Sequence, residues 1–132
     1  KMPASLTLLD LLGVFIWIAG FVIESLADRQ LKQFLADPIN KGRIMNRKLW
    51  KYSRHPNYFG EVLFWMGLFI FSLTSGDLIW WTLPGPVAIL IMFFFISVPM
   101  IDKRMLQRRR GYREYHKKTS GLIPWFVKDL KK

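Results

Sequence analysis

LIWWTLPGPVAILIMFFFISVPMI, Leu78 to Ile101, runs for 24 residues without a charge. At about 1.5 Å per residue, roughly 20 apolar residues cross the hydrocarbon core of a bilayer, so this run suffices for a membrane span. Two apolar runs precede it. Leu11 to Ile23 holds 13 uncharged residues, lengthened by Leu6 to Leu9 across Asp10, and Val62 to Gly76 holds 15. These reach spanning length when Asp10 and Glu61 lie at the interface or face protein. The pattern predicts an all-α integral membrane helical bundle in a single membrane domain, 1–132, with about three transmembrane helices near 6–26, 58–74 and 79–101.

The charges lie between the runs. The chain is 52% hydrophobic yet carries a formal net charge of +11 over 132 residues. A soluble domain this small cannot cover so much apolar surface, and a disordered chain would lack it. Without cysteine there is no disulfide framework, thiolate nucleophile or cysteine-ligated metal. Glu24 to Glu61 contains eight Lys/Arg against four acids, and Asp102 to Lys132 eleven against three. Ser75-Gly76-Asp77, a turn between antiparallel helices, has no base. Three spans therefore put the basic loop (27–57) and the basic helical C-terminal tail (102–132) on one face, cytoplasmic or its equivalent by the positive-inside rule. Orienting charges that meet lipid head groups account for the bulk of the basic residues better than a nucleic-acid partner does; the Arg108-Arg109-Arg110 cluster is equally suited to grip phosphates. Pro84 and Pro86 should break or kink the third span near its entry, and Pro99 near its exit. Trp80, Trp81, Trp50 and Trp125 stand where interfacial aromatic belts are expected.

The chemistry concentrates in Leu49 to Glu61, LWKYSRHPNYFGE, at the start of the second span. Pro56 suits a first helical position. Asn57 and Glu61 share a helix face, and Gly60 between them permits close approach of a ligand or another helix. Glu24 and Asp28 repeat that spacing at the end of the first span. Acids and amides at membrane depth are costly and mark function by default. Structural readings stand beside this one: His55 as an interfacial histidine, Glu61 paired with Arg54, Asp28 with Lys32, and Tyr112 and Tyr115 as interfacial anchors. No HExxH, P-loop or GxGxxG is present, so no metal site and no Rossmann-type nucleotide site is expected.

Ser53 to Glu61, SRHPNYFGE, resembles the signature of the membrane-embedded steroid 5-alpha-reductase C-terminal family. The resemblance extends upstream to Glu24-Ser25-Leu26-Ala27-Asp28-Arg29-Gln30. Downstream it takes in Gly111-Tyr112-Arg113-Glu114-Tyr115 and Thr119 to Trp125, TSGLIPW. A related Arg-His-Pro pattern occurs in sterol C14-reductases and isoprenylcysteine carboxyl methyltransferases, and the Asn-Tyr-Phe-Gly-Glu continuation is more similar to the reductases. Members of the family are usually longer, with N-terminal helices that carry much of the substrate pocket, including the expected proton donor. Arg47-Lys48 stands where the family usually has glycine.

The resemblance implies NADPH-dependent reduction of an activated carbon–carbon double bond in a lipid or steroid-like substrate. The matched cofactor-binding positions are Asp28, Arg43, Tyr52, Asn57, Gly60 and Glu61, with Arg104, Tyr112 and Tyr115; Arg54, His55 and Tyr58 of the signature join them. Asn57 and Glu61 would bond the carboxamide or ribose, and arginines would neutralise the phosphates. No residue is singled out as catalytic. Two other readings stay open: an S-adenosylmethionine-dependent membrane methyltransferase, and a non-catalytic scaffold without cofactor, partnered by other membrane subunits. The expected partners otherwise are membrane lipid and a lipid-like substrate.

Overall fold

The computed structural model describes residues 5–74 and 83–130. Helix α1 (Leu8–Ala36) begins on a reciprocal cap: the Asp10 amide donates to Thr7 Oγ1 at 3.2 Å, and the Thr7 amide donates to Asp10 Oδ2 at 2.7 Å. It ends where Pro38 holds Asp37 extended, at φ −84° and ψ 118°. Its 29 residues make about 43 Å of helix, longer than a bilayer core. Residues 27–36, expected as the start of a basic loop, are its last turns. Neither Gly nor Pro interrupts that stretch, and nothing there stops the helix.

Helix α2 (Pro56–Ser72) starts with Pro56 in its first turn and runs antiparallel to α1. Two glycine pairs set the contact, Gly13 with Gly67 and Gly20 with Gly60. A Cβ on Gly60 would stand 2.5 Å from the Glu24 backbone nitrogen, and one on Gly67 2.4 Å from that of Trp17. Small residues at such spacing let backbones touch, which drives helix association in lipid. Asp10 and Thr74 fasten the far end of the pair by a hydrogen bond.

Helix α3 (Pro84–Arg108) is, with α1, one of two helices among the described residues that are long and apolar enough to cross a membrane. Pro84 and Pro86 initiate it within the first turn, where a missing N–H costs nothing, so they neither break nor kink it. Phe93–Ser97 forms a π turn inside it. The ring of Pro99 would clash with the carbonyl four residues back, Phe95, and the widened turn relieves that conflict. Helix α4 (Tyr112–Lys118) follows Gly111, whose φ of 83° reverses the chain. The basic tail is therefore helical to Arg108 and over α4, and irregular after it. The Ser75-Gly76-Asp77 turn, Trp80 and Trp81 lie outside the described residues.

Burial is inverted relative to a soluble domain. On α1 the buried residues are Asp10, Gly13, Gly20, Ala27 and Gln30, while Leu11, Phe15, Ile18 and Phe21 face outward. On α3, Phe94, Phe95, Ile96 and Met100 are exposed and Asp102 is buried. Large side chains outside and polar ones inside are stable only with hydrocarbon as the solvent. The protein is a membrane helical bundle.

Candidate functional site

The segment before α2 folds back over the end of α1. Leu49 donates its amide to Gln30 Oε1 at 3.2 Å, and Trp50 Nε1 donates to the Ala27 carbonyl at 3.0 Å. Trp50 is thus a buried member of a small apolar cluster with Ala27 and Met45, rather than an interfacial belt residue: its indole N–H finds a buried carbonyl. Trp125, on the tail, is exposed. The turn into Leu49 places Lys48 at φ 57°, the left-handed conformation that glycine adopts without strain.

The C-terminal stretch straps this segment from the other side. Arg54 donates its amide to the Ser120 carbonyl at 2.8 Å, Ser53 Oγ donates to the Leu122 carbonyl at 2.7 Å, and the Trp125 amide donates to the Tyr52 carbonyl at 3.1 Å. These bonds hold Arg54 and His55 against α3.

There Asp102 gathers the polar groups. Arg54 Nη1 pairs with its Oδ2, His55 Nε2 lies 3.0 Å from its Oδ1, and the Tyr112 hydroxyl donates to that same Oδ1 at 2.7 Å. His116 Nε2 stands 3.7 Å from Oδ2. Tyr115, one helical turn from Tyr112, donates to the Trp50 carbonyl at 2.5 Å. Burial first, then the hydrogen bond to Asp102 and the carboxylate's charge, push the Tyr112 phenol far above its usual range, which keeps it a donor. Burial does the same to Tyr115. His116 is held below its ordinary value by burial and by the Arg54 guanidinium.

Arg54, His55, Tyr112 and Tyr115 form one wall of a cleft of about 210 Å³. His55 stacks on Tyr58, whose ring lies 4.3 Å from that of Phe93. Asn57 donates from Nδ2 to Asp28 Oδ1 at 3.0 Å, while its buried Oδ1 has no hydrogen-bond partner. Such an orphaned acceptor costs about 1–3 kcal/mol unless a donor arrives.

Of the residues singled out from sequence, Arg43, Arg54, His55, Asn57, Tyr58, Tyr112 and Tyr115 line this cleft. Asp28 reaches it through Asn57. Gly60 makes the helix contact of its two expected roles, against Gly20 and Glu24. Glu61 is half-buried beside Glu24, and no hydrogen bond ties it to Arg54. Tyr52 and Arg104 are exposed and stand off the cleft. Asp28 is bonded by Asn57 rather than paired with Lys32, and both tyrosines are buried rather than interfacial anchors. Sequence reasoning passed over Asp102 and Met105; Arg109, which lines the cleft, belongs to the arginine cluster that it had named. Asp102 closes the longest uncharged run, which is the signal that would have marked it.

A family model described as "Protein of unknown function (DUF1295)" matches residues 1–119. The chain belongs to that family. An uncharacterised protein of Schizosaccharomyces pombe is 28% identical over 137 residues, covering 85% of this chain and 40% of the relative. The rat 3-oxo-5-alpha-steroid 4-dehydrogenase 1 is 31% identical over 122 residues, covering 89% of this chain and 42% of the relative. A probable O-methyltransferase of Ustilaginoidea virens is 31% identical over 98 residues, 73% of this chain and 32% of the relative. The chain thus spans about two fifths of the length of the steroid dehydrogenase it matches. No solved structure matches.

Proposed function

We propose that this chain is the cofactor-holding part of a membrane reductase that uses NADPH to reduce an activated carbon–carbon double bond in a lipid or steroid-like substrate. The observation that carries the reading is Asn57 Oδ1, a buried acceptor without a partner at the cleft that the signature residues line. A nicotinamide carboxamide brings an N–H₂ donor of the kind this oxygen needs. At about 210 Å³ the cleft is smaller than the roughly 300–1,000 Å³ of most ligand pockets, so only one end of a dinucleotide would be enclosed. Arg43 and Arg109, which also line it, supply guanidinium forks for phosphates outside. The similarity to steroid 4-dehydrogenases supports the same reading.

NADPH, when bound, supplies the hydride. The protein's part is to orient and to insulate. Asn57 fixes the amide end, and the Tyr58 ring offers an aromatic wall backed by Phe93. Asp102 holds His55 by Nε2, and no described residue bonds its Nδ1. The basic segments would face the cytoplasm or its equivalent, where the cofactor is soluble.

Titration of NADPH, NADH and S-adenosylmethionine into the purified chain in detergent tests this. Tight NADPH binding that Asn57→Ala weakens about tenfold supports it, the loss expected for one buried hydrogen bond. S-adenosylmethionine binding without NADPH binding selects the methyltransferase reading, which the O-methyltransferase relative favours. Binding of neither selects the scaffold.

A further inference from the structure

A second and larger cavity, about 570 Å³, lies between α3 and the strap. Arg54 lines both cavities, Asp102 only this one, and Asp102's partners His55 and Tyr112 only the cleft. The ion pair is therefore the partition between them. Along α3 the cavity wall changes character. Phe94 and Val98 give way, one and two turns on, to Asp102 and Lys103. Phe94 and Ile123, at its rim, are 52% and 56% exposed, so the cavity is continuous with the outward apolar surface that requires lipid.

Its charge is positive. Asp102 is already neutralised by Arg54 and bonded by His55 and Tyr112. Lys103 makes no ion pair among the described residues, and His116 stands at the same end. An apolar trough open to the bilayer with an unpaired ammonium at its basic end matches one ligand class, an acyl chain carrying an anionic head.

We propose that this cavity is a binding site for an anionic membrane phospholipid, with the acyl chain along Phe94 and Val98 and the head-group phosphate at Lys103 and His116. Basic pockets beside membrane helices hold such head groups elsewhere. The site is separate from the cofactor cleft and does not depend on the reductase reading.

Native mass spectrometry of the full chain, released from detergent with equal phosphatidylglycerol and phosphatidylcholine, tests it. Phosphatidylglycerol should be retained preferentially. Lys103→Gln should reduce that preference about fivefold, one lysine's attraction for an anionic head group. Ile123→Asp should abolish it by placing a carboxylate at the exposed rim, with an unfolding midpoint measured beside that of the unaltered chain to show that the fold is kept. Lys41→Gln, a control of equal charge outside the cavity, should leave it unchanged. Equal retention of both lipids, or a preference that Lys103→Gln and Lys41→Gln reduce alike, overturns the proposal. So does displacement of the lipid by inorganic phosphate alone, which would mean that only the anion is recognised.

Discussion

Asp102→Asn keeps the shape of the side chain and removes the negative charge that pairs with Arg54. In the folded protein both side chains are about nine-tenths buried, at 10% and 6% exposure, so the guanidinium left behind has little water to turn to. Breaking a buried pair by removing one partner costs about 3–5 kcal/mol. The asparagine oxygen still accepts from Tyr112, so the change should fall near the lower end, about 3 kcal/mol. Asp102→Ala also strands the Tyr112 hydroxyl and should cost about 1–3 kcal/mol more. Removing both charges with packed substitutes, Arg54→Met with Asp102→Leu, should recover most of the loss, because the desolvation cost disappears with the pair. The assay is unfolding of each variant, of the single variants Arg54→Met and Asp102→Leu, and of their double variant, in mixed micelles of rising denaturing-detergent fraction. The cycle should yield a coupling of at least about 2 kcal/mol. The apolar double variant should be stable yet bind NADPH poorly, because His55 has lost the carboxylate that orients it. A coupling below about 0.5 kcal/mol would mean that Arg54 and Asp102 do not act as a pair.

Gly60→Ala should loosen the α1–α2 pair, because its methyl would meet Glu24 backbone at 2.5 Å; about 1–3 kcal/mol of overpacking should show as a lower unfolding midpoint. Lys48→Gly should raise stability by up to about 1 kcal/mol in the same assay, since it relieves a left-handed residue at φ 57°. His116, held below its ordinary value by burial and Arg54, binds fewer protons folded than unfolded. Stability should therefore fall as the pH drops below about 6.5, and His116→Gln should flatten that slope in a melting series from pH 8 to 5.

The membrane architecture was legible because charge and apolar length act locally. A run such as Leu78 to Ile101 needs no knowledge of its neighbours to be read as a span. The end of α1 was less so: charges at Arg29 and Lys32 suggested a loop, yet a helix leaving the bilayer keeps its turns until a proline stops it. Six of the seven predicted residues that meet at one cleft follow from their clustering in sequence, four from Arg54 to Tyr58 and Tyr112 with Tyr115 on one helix face, while Arg43 reaches it from the loop before them. What holds them was not readable. Arg54 and Asp102 are 48 residues apart, and either alone resembles a boundary charge beside an apolar run. Trp50 illustrates the same limit, since a tryptophan near a span reads as a belt residue until its N–H is seen to reach the Ala27 carbonyl.

The glycine that the resemblance leads one to expect, and that Arg47-Lys48 replaces, joins these observations. The backbone at Lys48 adopts the left-handed conformation that glycine takes without strain. That path delivers Leu49 to Gln30 and Trp50 to Ala27, and so fixes where Ser53 to Tyr58 begin. A strained residue persists only when its surroundings over-determine the conformation. Here the surroundings are the two hydrogen bonds to α1 on one side and the strap bonds at Ser53 and Arg54 on the other. The cleft geometry is thus held from both flanks independently of what occupies position 48. Relief of strain by Lys48→Gly should therefore raise stability and leave the affinity for NADPH unchanged, whereas a lysine that crowded the cofactor would show the opposite pattern.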